Sequence, residues 1–174
     1  MAYAANTASA TLNIAGSMMP NTCTLGQGGQ YTIDFGQVSE TEFDNPLISK
    51  PMIPLNLNLT CPQLVTLSGL TFGTTSQKPN VLIEGNSGAF GTDHAKVGVM
   101  ITKGTSSELG IPVTTIFAPG VNVLSAVPRD TRSTHAPNTT IPLALNVALH
   151  HVGVGAVDTG TGDFLLNINI AVAY

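Results

Sequence analysis

Apolar and polar residues alternate strictly over several stretches of this chain. Such alternation marks a strand with one buried face, because successive side chains of a strand point to opposite sides. Ile53, Leu55, Leu57 and Leu59 alternate with Pro54, Asn56, Asn58 and Thr60, and the run ends at Cys61. Leu166, Ile168, Ile170, Val172 and Tyr174 alternate with Asn167, Asn169, Ala171 and Ala173. Near the other terminus, Ala10, Leu12, Ile14, Gly16 and Met18 fall on one side of a third such segment, with Ser9, Thr11, Asn13, Ala15 and Ser17 on the other. Further strands are predicted at Tyr31 to Phe35, Val65 to Phe72, Val97 to Thr102, Thr114 to Phe117, Val121 to Leu124 and Ile141 to Leu149, many of them separated by Gly-rich turns. Pro54 and Pro142 each remove a ladder donor, which predicts edge positions or strand starts, and Gly98 predicts a bulge or a close packing point. No segment shows a sustained helical period with caps at both ends. The predicted class is therefore all-β, and short strands at this spacing favour a sandwich over an open sheet.

Composition narrows the function classes. A chain of 174 residues suits one domain with a sizeable core. Charged residues make up 9% of it, against roughly 25% in an ordinary soluble protein. Trp is absent, and Gly, Ser, Thr, Asn and Pro are abundant, as expected of an extracellular or structural β protein. A net charge of −4 with six scattered basic residues leaves no electrostatic footprint for nucleic acid or an anionic membrane. No apolar run reaches the roughly 18 residues that span a bilayer. At the amino terminus, Ala2-Tyr3-Ala4 is a small-x-small triplet of the kind signal peptidase reads. Residues 1–4 are accordingly expected to be an added Met and the remnant of a secretory cleavage site. Cys23 and Cys61 are an even pair, compatible with one disulfide in an oxidising compartment or with two buried thiols. A disulfide would constrain the unfolded chain by about 4 kcal/mol in the loop-entropy model.

Candidate chemistry adds little. His150 and His151 are adjacent, so on a strand they point opposite ways, and no Cys or acidic cluster completes a metal set. Gly26, Gly28 and Gly29 open no helix and make no phosphate-binding loop. Serines, histidines and aspartates are present without a strand-turn-helix elbow to position a nucleophile. No catalytic residue, metal or cofactor is expected.

In their order, these segments resemble a pilin of the chaperone-usher family. The resemblance rests on Leu12-x-Ile14-x-Gly16 ahead of Cys23-Thr24-Leu25, followed by Asp34-Phe35-Gly36. It continues through Pro54-Leu55-x-Leu57-x-Leu59-x-Cys61 and Lys96-Val97-Gly98-Val99-Met100-Ile101 to the run from Gly162-x-Phe164 to Tyr174. It implies an incomplete immunoglobulin-like sandwich that lacks its C-terminal seventh strand. The resemblance further implies that, in the fibre, the N-terminal extension of a neighbouring subunit completes that fold by donor-strand addition, an instance of recognition by strand addition. An unpaired edge beside an uncovered core invites association, and a complementary strand supplies ladder bonds and pocket-filling side chains together. On this sequence the donor positions would be Ala10, Leu12, Ile14, Gly16 and Met18. Leu12 and Ile14 would act as the apolar anchors and Gly16 as the point of close backbone approach. Leu166, Ile168, Ile170 and Val172 would line the acceptor groove, and Tyr174 at the C-terminus would meet a periplasmic chaperone.

The resemblance divides the chain into an extension with its donor strand, residues 1–20, and a pilin domain, residues 21–174. It implies identical or related pilin subunits, a periplasmic chaperone and an outer-membrane usher as partners. The destination would be an extracellular fimbrium reached through the periplasm, with a host receptor met through the assembled fibre. Two other readings compete: a one-domain tip adhesin or lectin-like subunit of the same fibre, and an unrelated jelly roll whose N-terminal strand pairs within its own chain.

Overall fold

The computed structural model describes residues 7–15, 23–26, 30–39, 52–74, 79–83, 86–92, 97–105, 109–151 and 164–174. They form an all-β sandwich. One sheet has the order β3-β1-β12-β6, built from β1 (Thr7–Ala15), β3 (Gln30–Ser39), β6 (Gly69–Thr74) and β12 (Phe164–Ala173). The other has the order β2-β4-β11-β9-β8-β7, from β2 (Thr24–Leu25), β4 (Met52–Thr60), β7 (Pro79–Ile83), β8 (Asn86–Gly91), β9 (Val97–Lys103) and β11 (Thr140–His151). A small ladder joins β5 (Val65–Thr66) to β10 (Thr134–His135), where the Thr66 and Thr134 hydroxyls share a 2.8 Å hydrogen bond.

Alternation does the work it predicts. Along β4, Leu55, Leu57 and Leu59 are buried while Pro54, Asn56 and Asn58 are exposed. The neighbouring strand β11 buries Ile141, Leu143, Leu145 and Val147 in register with it, and Leu149 just beyond. Each such side chain contributes about 1.5–3 kcal/mol when fully buried. The core continues through Phe72 and Phe117, whose rings meet edge to face at 5.0 Å. The thiols of Cys23 and Cys61 form a disulfide, with both residues buried, which tethers the start of β2 to the end of β4.

The two prolines lie within the sheet order rather than on its outer strands, yet among the described residues neither has a ladder partner on the side to which its own peptide nitrogen points. Gly26 N–H donates to the Asn58 carbonyl at 2.7 Å, so Asn58 and, on the same side, Pro54 turn their peptide groups toward β2. Among the described residues, β2 pairs with β4 at Leu59 and Thr60, short of Pro54. Pro142 faces the β9 side, where the ladder begins only at Leu145. Gly98 is buried and stands opposite Gly91 of β8, a close packing point of the expected kind.

Two predicted strands are not found. Between β9 and β10 the chain switches sheets in short steps. Thr102 bridges Ile116, and Phe117 N–H donates to the Ile101 carbonyl at 2.8 Å. After Pro119 and Gly120, which has φ 74°, the chain passes to the edge of β6. A 3-10 turn over Val123–Ala126 follows. Val123 and Leu124 are both buried, which period-two alternation forbids, so Val121 to Leu124 is a cap and turn instead of a strand. Thr114 to Phe117 is limited to a single bridge because the Pro119-Gly120 corner leaves no length for a ladder. The expected strand Val65 to Phe72 is likewise divided, into β5 and β6.

Candidate strand-accepting site

β12 owes its position to its own pattern. Leu166, Ile168 and Ile170 are buried, Asn167, Asn169 and Ala171 are exposed, and Val172 is partly buried against the core. The two neighbours of this strand cover different parts of it. On one side, antiparallel β6 pairs with Ile168 to Ala173. On the other, β1 pairs with Phe164 to Asn169 and runs parallel to it. Ala10 stands opposite Phe164, Leu12 opposite Leu166 and Ile14 opposite Ile168, so the alternating positions of the two strands are in phase. Gly16 and Met18 lie outside the described residues. From Ile170 to Ala173, β12 has no strand partner on the β1 side among the described residues. An apolar cleft between the two sheets is lined by residues including Leu25, Leu59, Leu67, Ile170 and Val172. Tyr174 follows directly and is exposed.

The other neighbour of β1 is β3, antiparallel, with Leu12 opposite Ile33 and Ile14 opposite Tyr31. The register slips between Ala10 and Thr11, where Ala10 faces Gly36 and Thr11 faces Asp34, so Phe35 is the extra residue of a β-bulge. Gly36 has φ 63°, and its N–H donates to the Asp34 carboxylate at 2.7 Å. A left-handed residue braced by the carboxylate two positions earlier gives Asp34-Phe35-Gly36 a physical role that the sequence pattern had not disclosed.

A second set of residues escaped the sequence reading. The Asn122 carboxamide accepts from Leu70 N–H at 3.0 Å and Leu124 N–H at 3.1 Å, and donates to the Ser68 carbonyl at 3.2 Å. Arg132 donates through Nε and Nη2 to the Val127 carbonyl at 3.0 and 2.9 Å, through Nη2 to Leu124 at 2.5 Å and through Nη1 to Ser68 at 3.3 Å. Ser68 N–H in turn donates to the Ala173 carbonyl at 2.8 Å, at the end of β12. The hint in the sequence was the short charged stretch Arg129-Asp130-Thr131-Arg132 in a chain so poor in charge.

No group of three or more metal-ligating side chains occurs among the described residues. None of their helices is long and apolar enough to cross a membrane, which leaves β-barrels aside. Among known proteins, a family model described as "fimbrial protein" matches residues 10–173. No curated protein matches the chain.

Proposed function

Because the chain belongs to the fimbrial protein family, and so is a structural subunit of a cell-surface appendage that assembles with other pilin subunits, we propose that it polymerises by donor-strand exchange along a chaperone-usher route. The strand spanning Ala10 to Met18 is given to the groove of a neighbour, residues 21–174 form the receiving domain, and Leu166, Ile168, Ile170 and Val172 border that groove. One observation carries this reading: Leu12 and Ile14 stand in register with Leu166 and Ile168, on a strand whose buried positions recur at the same spacing. Pairing of β1 within its own chain is what an isolated subunit would adopt to cover that edge, so it does not favour a jelly roll over a pilin.

Chain connectivity supports the exchange. From Ala15 to Cys23 the backbone can reach on the order of 28 Å when fully extended. Leu25, just past Cys23, shares the apolar cleft with Ile170 and Val172, so Cys23 belongs to the C-terminal end of β12. A reversed β1 would leave Ala15 near Phe164, and the length of β12, roughly 33 Å for ten residues, would exhaust the connector. Within one chain the strand is thus confined to the parallel orientation. A strand arriving from another molecule carries no such tether and is free to run antiparallel, the slightly more stable pairing per residue.

Before exchange, a periplasmic chaperone would hold the β12 edge and the C-terminal carboxylate beside Tyr174, and an outer-membrane usher would release it. The assembled fibre would serve adhesion or biofilm formation. Phe72, Phe90 and Phe117 are fully buried, which removes them as platforms for a sugar and disfavours the tip-adhesin reading. The test uses a chain lacking residues 1–20. A peptide covering residues 5–19 should raise its thermal midpoint, and the same peptide carrying Ser at both Leu12 and Ile14 should not. Equal effects of the two peptides would sink the reading.

A further inference from the structure

A sheet that accepts a strand beside β12 must avoid accepting one beside β6, because any open edge is a template for pairing. The β6 edge facing away from β12 offers the Ser68 carbonyl, the Leu70 N–H and the Phe72 carbonyl. Gly120 N–H takes the Phe72 carbonyl at 2.7 Å. The Asn122 side chain takes the other two, its oxygen accepting from Leu70 and its nitrogen donating to Ser68. A primary amide has the acceptor and donor of a peptide unit. Here it engages the carbonyl of residue 68 and the N–H of residue 70, the pair that a neighbouring strand would use. Arg132 fixes this arrangement from behind. It ties the carbonyls of Leu124 and Val127, which close the 3-10 turn begun at Asn122, and adds a second donor to Ser68. The close fit of Gly69, where an added Cβ would meet the Ala173 Cβ at 3.1 Å and the Asn122 carboxamide nitrogen at 3.4 Å, leaves no room for a looser seal.

We infer that Asn122 closes the β6 edge by standing in for a strand, with Arg132 as its positioning residue, so that of the two sides of the β12-β6 pair only the β12 side takes an added strand. This rests on the donor-strand reading above, and the two can fail separately. The full chain with Leu12→Ser and Ile14→Ser should stay monomeric in light scattering, and adding Asn122→Ala should produce oligomers that grow with concentration and no longer need the donor strand. Leu70 amide exchange should be at least about tenfold faster in that triple variant, as expected for a lost hydrogen bond of roughly 1.4 kcal/mol. A triple variant that is folded but monomeric, or merely less heat-stable, overturns the inference. Polymerisation of the double variant would overturn the donor-strand reading instead. In that case, or if Asn122→Ala does not fold, the parent chain decides: Leu70 protection equal to that of the β6 ladder amides supports the closed edge, and exchange at the rate of an unbonded amide overturns it.

Discussion

The β12-β6 pair is finished in two different ways on its two sides. Beside β12 lies a whole strand, β1, held in register through main-chain pairing and joined to the domain by a short connector. Beside β6 lie two isolated main-chain bridges, Thr71 to Asn122 and Phe72 to Pro119, completed by one carboxamide and one guanidinium, all from a segment that is itself bound to β9 and to its own 3-10 turn. Main-chain pairing is indifferent to whose strand supplies it, and specificity comes only from the alternating side chains. A side-chain amide at one fixed corner has no such substitute. On the donor-strand reading, the same sheet combines an exchangeable seam with a sealed one.

The largest expected effect bears on where the exchangeable strand is tethered. Replacing Cys23 and Cys61 by Ser should cost about 4 kcal/mol in urea unfolding under the loop-entropy model. A loss below 1 kcal/mol would show that the tether contributes little to holding the β1 connector. Next comes Ile168→Ala, at one of the two residues where the two ladders overlap: it pairs with Ile14 on one side and Thr74 on the other and is fully buried. A cavity there should cost about 3 kcal/mol and also weaken capture of the donor peptide, whereas Ile170→Ala should cost similar stability. Asn122→Ala ranks third. It leaves the Leu70 and Leu124 amides without their acceptor, for about 2 kcal/mol, and its loss should be nearly additive with that of Leu12→Ser if the two seams are independent.

Much of this could be read from residue order, and the reasons differ by region. β4, β11 and β12 were legible because one face of each packs on the core and the other is wetted, which writes burial directly into alternation. The segment from Thr114 to Leu124 was not, because β-branched residues there serve a corner that touches both sheets in turn and obeys neither period. Asn122 and Arg132 were invisible for another reason. Their partners at Ser68 and Leu70 are distant in sequence, and no local pattern marks a carboxamide as the substitute for a strand. Alternation marked the candidate donor positions as a strand, and the resemblance to chaperone-usher pilins gave them the donor role. Which edge they meet within the chain became clear only from the sheet order.

The smallest predicted effect concerns the far side of β1, where the bulge in β3 sets the register slip between Ala10 and Thr11. Gly36 has φ 63°, and a Cβ placed there would meet nothing within 4 Å. Any cost of Gly36→Ala is thus conformational, about 1 kcal/mol for holding an ordinary residue in the left-handed region. Asn tolerates that region far better, so Gly36→Asn should recover most of the loss. Urea unfolding of the two variants separates the cases. Unequal losses with unchanged m-values place the cost in the backbone of the bulge. Equal losses would instead mean that β3 no longer turns at Gly36, and that the exchangeable seam tolerates more than one register against it.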